Sequence, residues 1–177
     1  MRDGIPIALG YFAVAFTLGI AARNAGFTAL QAFVESLTNN ASAGEYAVFS
    51  LVAAGAGLWE VAIMTLVANA RYLLMSCSLS QKLSPGTPLR HRMLIAFVIT
   101  DGVFGISLAV PGRLDPWYTY GAMAVAIPGW SIGTFLGVVV GNVLPLRLVS
   151  ALSVGLYGMF IAIIVPPSRR SKIVGGL

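Results

Sequence analysis

The chain has 177 residues, 58% hydrophobic and only 10% charged, with a formal net charge of +5. Soluble domains carry roughly 25% charged residues, and a chain of this length forms no core large enough to hide so much apolar surface from water. A water-soluble globular protein is excluded, and one integral membrane domain over residues 1–177 is expected, with no separate soluble module.

The N-terminal run Ile5–Ala22 approaches the length of about 20 apolar residues that crosses a bilayer. It exceeds the roughly 7–15-residue core of a signal peptide, so it reads as an uncleaved first span ended by Arg23 and Asn24. FTALQAFVESL (residues 27–37) then reads as a short amphipathic helix leading into the polar stretch Thr38–Glu45. Polar backbone at membrane depth is tolerated only inside protein or beside a cavity, so Asn39, Asn40, Ser42 and Glu45 are expected to line an aqueous route.

Tyr46–Ala54 is a short apolar run that reaches a break at Gly55-Ala56-Gly57. From Leu58 a helix is expected to run through Glu60 and Arg71 to about Leu79, with Cys77 as a small packing residue. The loop SQKLSPGTPLRHR (residues 80–92) follows, with His91 solvated in it. Met93–Val110 reads as the next span, closed by Pro111-Gly112. Trp117–Leu144 is an apolar stretch interrupted at Pro128-Gly129, and Ala151–Val165 is a last run before PPSRRSK.

These elements predict an all-α, polytopic transmembrane protein with broken or re-entrant helices. The paired interruptions at Gly55–Gly57 and Pro128-Gly129 admit an inverted repeat. Lys82, Arg90 and Arg92 in one loop, and Arg169, Arg170 and Lys172 in the tail, flank membrane segments rather than forming a stripe. That is the pattern of cytoplasmic-side charge, and it argues against a nucleic-acid partner. A count of three crossings after the loop puts the tail on the opposite side, so a late segment is re-entrant or more than a simple span. Trp59, Trp117, Trp130, Tyr118 and Tyr120 suit membrane-interface anchors.

The chemistry concentrates in a few intramembrane polar residues, which cost a few kcal/mol each in hydrocarbon and therefore face partners or a polar path. Arg71 offers five fixed donors and is suited either to a carboxylate substrate or to a lock with Asp101 on another helix. Asn69 is expected on a different side from Arg71, sharing its face with Leu66 and Tyr72. Thr100 and Asp101 fall near the middle of Met93–Val110, where an Asp is either paired or protonated and suits a proton relay. Gly102 and Gly105 allow a helix to come close. Glu60 follows a helix break and has a plain reading as an N-terminal acid, while Glu45 is either interfacial or on the pathway. HExxH, GxSxG and Walker A patterns do not occur, and Asp101 has no Asp partner for an aspartyl dyad, so an enzyme is not expected. Neither a metal site nor a cofactor is expected; Cys77 is the single cysteine.

GAGLWEVAIMTLVANARYLLMSCSL followed by FVITDG resembles the AzlC family of branched-chain amino-acid permeases, and GYFAVAFTLGIAARNAGF fits that family's first segment. Asn69 and Arg71 match its N-x-R, Thr100 and Asp101 its T-D, and Ser78 and Leu79 its S-L. The family often has Gln where this chain has Glu45, and an acidic residue where it has Gly102. The resemblance implies an inner-membrane exporter of valine-like amino acids working with a small AzlD-type membrane subunit; an ion gradient is the expected drive, with the proton as a candidate coupling ion. It also implies a chain shorter at its C-terminus than its relatives. A transporter of another small solute and a non-transporting membrane subunit are the competing classes.

Overall fold

The computed structural model describes residues 4–141 and 143, and all of the described secondary structure is helical apart from one isolated bridge between Leu83 and Leu114. Leu144, the expected stop at Pro145–Arg147, the expected run Ala151–Val165 and the basic tail lie outside the described residues. Among the described residues three helical stretches are long and apolar enough to cross a membrane: α1 (Gly4–Asn24), the run Leu58–Lys82, and α8 (Pro116–Val140).

α1 and α8 form the spine. Gly129, Gly133, Gly137 and Gly141 recur every fourth residue on α8, one face of a helix. A Cβ at Gly133 would stand 2.7 Å from the Phe12 carbonyl oxygen, and one at Gly137 would run into the backbone of Phe16 and Gly19. Small residues let two membrane helices touch backbone to backbone, where dispersion is greatest. This seam explains why α8 continues through Pro128, where an interruption was expected. A proline removes one ladder bond, but close packing of the following turns on α1 holds the helix on course. The echo between the two halves is therefore absent at Pro128. Arg23 closes the far end of the seam, donating from Nη1 to the Val138 carbonyl at 2.7 Å.

Between these spans the chain runs in pieces too short to cross. α2 (Ala29–Thr38) opens on a capping box in which Thr28 and Gln31 satisfy each other's groups. α3 (Ser42–Ala53) follows after Asn39–Ala41. At about 1.5 Å per residue both reach less than 20 Å, against roughly 30 Å of hydrocarbon. Gly55, at φ +75°, reverses the chain so that α4 (Leu58–Asn69) lies back along α3. Gly44 opens α3 to the Asn69 side chain; a Cβ there would stand 2.5 Å from Asn69 Oδ1.

Two breaks were not expected. Between α4 and α5 (Arg71–Lys82) the ladder slips at Ala70, whose N–H reaches back three residues to Val67, as Leu73 does to Ala70. Such 3₁₀ bonds overwind the turn, and they split Asn69, Arg71 and Tyr72 into new directions. The second break divides Met93–Val110 into α6 (Leu89–Phe97) and α7 (Asp101–Ala109). The loop before α6 is shorter than expected, residues 83–88, because α5 extends to Lys82 and α6 starts at Leu89. His91 accordingly lies on α6, its Nδ1 2.8 Å from the Tyr120 hydroxyl, rather than in solvent. Arg92 organises the connection, bonding the Ser80 hydroxyl at 2.8 Å and the Thr87 and Ser84 carbonyls. Cys77 is exposed on α5 instead of packed.

Candidate functional site

Two polar networks occupy the interior, and the α6–α7 break builds the first. Thr100 is the N-cap of α7, in extended backbone, with its hydroxyl accepting from the Val103 N–H. Tyr11 on α1 donates its hydroxyl to Thr100 Oγ1 at 2.8 Å and accepts from the Gly102 N–H at 2.9 Å. Two hydroxyls, from Tyr11 and Thr100, thus satisfy bare amides of one buried helix start, which would otherwise each cost about 1–3 kcal/mol. Gly102 is needed for this, since a Cβ there would come within 2.8 Å of the Tyr11 oxygen; Gly105 faces open space and makes no such approach.

Asp101 is therefore not in mid-helix. It occupies the first turn of α7, where the helix dipole favours a carboxylate. Its Oδ2 lies 3.0 Å from Arg71 Nη2, so the interhelical pair between α5 and α7 is present. Tyr72 completes a triangle: its hydroxyl accepts from Arg71 at 3.2 Å and is 3.4 Å from Asp101 Oδ2, and the guanidinium lies over its ring, 5.1 Å from the centroid. Tyr72 was expected on the Asn69 face; the overwound turn at Ala70 moves it to the Arg71 side.

The second network gathers around Glu45, which is fully buried. Trp130 Nε1 donates to its Oε2 at 2.7 Å, and the Thr134 hydroxyl donates to its Oε1 at 2.9 Å. Ser36 on α2 is 3.0 Å from that hydroxyl. Trp130 is thus an interior residue rather than an interface anchor, whereas Trp59 and Trp117 are exposed as an anchor requires. Asn69 turns the opposite way from Arg71, donating to Asn39 Oδ1 at 2.8 Å, while Asn39 donates to Glu35 Oε1 at the same distance. Of the stretch Thr38–Glu45, Asn39, Asn40 and Glu45 face inward and Ser42 is half-buried at the start of α3. Glu60 is exposed in the first turn of α4 and joins neither network.

A crevice too narrow to admit a water molecule borders both networks, which meet where the Tyr11 and Trp130 rings stand edge to face, 5.3 Å between centroids. Its polar edges are Tyr11 and Thr100 from the first, Trp130 from the second, and Asn40. Val98, Val103, Met123, Ala126 and Ile127 form the wall between them. Sequence reasoning missed Tyr11, Tyr72, Trp130 and Thr134. The T-D pair could have located the break, because Thr before an acidic first turn is a helix-start signal even inside an apolar run.

Spanning helices joined to half-length ones, with an ion pair and a buried carboxyl held between them, define an α-helical membrane protein. The AzlC protein family model matches residues 6–144. The chain belongs to the AzlC family, a family of membrane permeases and not of enzymes. It is 30% identical to an uncharacterized membrane protein of Archaeoglobus fulgidus over 97% of this chain and 77% of that protein. It is also 30% identical to inner membrane protein YgaZ of Escherichia coli over 79% of this chain; the match spans 57% of that relative's length. No solved structure is a significant match.

Proposed function

We propose that this chain is the large subunit of an exporter of branched-chain or similar apolar amino acids, multi-pass in the cell's inner (plasma) membrane. It is driven by an ion gradient and works with a small AzlD-like membrane partner. The observation that carries the reading is the crevice: an aliphatic wall bordered by both polar networks. An apolar zwitterion has complementary ends for such a site. Its carboxylate suits Arg71 when the lock with Asp101 opens, and its ammonium suits the Asp101 carboxylate so freed. The aliphatic wall then selects the side chain once the crevice widens to admit it. A helix N-terminus at Pro128-Gly129 is not available for the carboxylate, because α8 is continuous there.

Valine efflux from preloaded cells, with and without a small partner subunit, tests this directly. Partner-dependent efflux of valine or another apolar amino acid is the expected result. Efflux of a polar solute alone would favour the broader transporter reading, and no flux with any partner the non-transporting subunit. A second measurement addresses the route. In a Cys77→Ala background, cysteine at Asn40 should react with a small thiol reagent, and valine should protect it. Cysteine at Ser42 should respond more weakly, because Ser42 does not line the crevice.

A further inference from the structure

The ion pair and Glu45 differ in a way that bears on the driving ion. Asp101 faces a guanidinium that stays charged at any physiological pH, so protonating Asp101 would strand Arg71 without its counter-charge. Glu45 has no cationic partner among the described residues. A fully buried carboxylate with only neutral donors is costly. Its surroundings supply something else, a hydrogen-bond chain that fits two protonation states.

In the charged state Glu45 Oε1 accepts from Thr134 and Oε2 accepts from Trp130, with the Ser36 hydroxyl also within hydrogen-bonding reach of the carboxylate. An indole can only donate, so Trp130 holds Oε2 in either state. A hydroxyl can reverse. When a proton from the aqueous phase binds Oε1, the new O–H donates to Thr134 Oγ1. The Thr134 hydrogen then turns to Ser36 Oγ, 3.0 Å away in a contact where either atom can donate. Ser36, inside a helix, can direct its own hydrogen to the carbonyl four residues back. Release runs the same rotations backwards, and no polar group loses its partner.

We propose that Glu45 is the residue that takes up and releases the coupling proton, with Thr134 and Ser36 as the reversible chain that holds both states. Its coupling role rests on the transport reading above; its protonation change does not. The groups facing it are few. α2 brings Glu35, whose like charge acts on Glu45. α8 brings the uncharged Trp130 and Thr134, α4 the Asn69 amide beside Gly44, and α1 Tyr11, edge-on to Trp130 at 5.3 Å. Arg71 and Asp101 are committed to each other.

Trp130 is a built-in reporter. With Trp59→Phe and Trp117→Phe it is the single tryptophan of the full chain, and its emission in lipid nanodiscs can be followed against pH. One titration step is expected, lost in Glu45→Gln and retained in Asp101→Asn. Thr134→Val should move its midpoint without removing it, as should Glu35→Gln. No step in the parent, a step that survives Glu45→Gln, or one that vanishes in Asp101→Asn overturns the assignment. Should Glu45→Gln fail to fold, the Thr134→Val midpoint decides, and an unmoved midpoint overturns the proposal. Coupling is read separately in proteoliposomes containing a pH dye and the partner subunit. Glu45→Gln should keep valine counterflow and lose valine-linked proton movement; unaltered proton movement overturns the coupling role. If the parent moves no apolar amino acid, the transport reading fails and the emission titration still stands as the test of protonation.

Discussion

Gly137→Ala should cost on the order of 3 kcal/mol, about a hundredfold in the folded ratio, although it adds one methyl group. The new Cβ meets only main chain: the Phe16 carbonyl oxygen, and the Gly19 Cα at 2.9 Å. Backbone of a packed helix has no rotamer to yield, so α1 and α8 must separate along their length. Separation removes many small dispersion contacts, which are the main attraction between helices where lipid is as apolar as protein. Gly105→Ala on α7 is the matched control. Its Cβ would meet nothing within 4 Å, and alanine is the better helix former by up to about 1 kcal/mol. Thermal unfolding of the two variants in one detergent should place Gly137→Ala far below the parent and Gly105→Ala level with it or above.

Arg71→Ala and Asp101→Ala should each destabilise, and the double variant should recover part of the loss. Either single change leaves a charge facing its empty place; removing both leaves none. Fully buried pairs cost about 3–5 kcal/mol when one partner is deleted. Here the Arg71 side chain is 38% exposed and that of Asp101 17%, so about 1–3 kcal/mol is expected. A coupling energy above about 0.5 kcal/mol in the double-mutant cycle marks a direct interaction. Strictly additive losses would mean that the pair does not hold α5 to α7. Tyr72→Phe should cost about 1 kcal/mol, since it removes one hydroxyl from the triangle and keeps the ring beneath the guanidinium.

What the sequence revealed and concealed follows from the kind of signal each residue sends. α1 and α2 were legible, one from an apolar run of membrane length and the other from a Thr28-x-x-Gln31 start. The break after α3 was legible because Gly55 needs a positive φ that other residues avoid. The breaks at Ala70 and at Val98–Thr100 carry no glycine or proline, and hydropathy passes straight over them. Pro128 misled in the other direction, because the glycine seam that steadies α8 depends on a helix more than a hundred residues away in sequence. Arg71 and Asp101 were visible by their cost in hydrocarbon. Trp130 and Thr134 were not, because tryptophan and threonine are ordinary in membrane helices and only contact with Glu45 gives them a role.

The glycine seam also sets a timetable for synthesis. The two helices that fit best are separated by residues 25–115, so α1 is made long before α8 exists. At roughly 5–20 residues per second, the ribosome needs about 5–20 s to supply the missing half. Through that interval the first span has no glycine face to meet, and the half-length helices between the two have no spine to rest on. The nascent chain must therefore wait at the insertion machinery with its best contact unmade until α8 emerges and closes this seam.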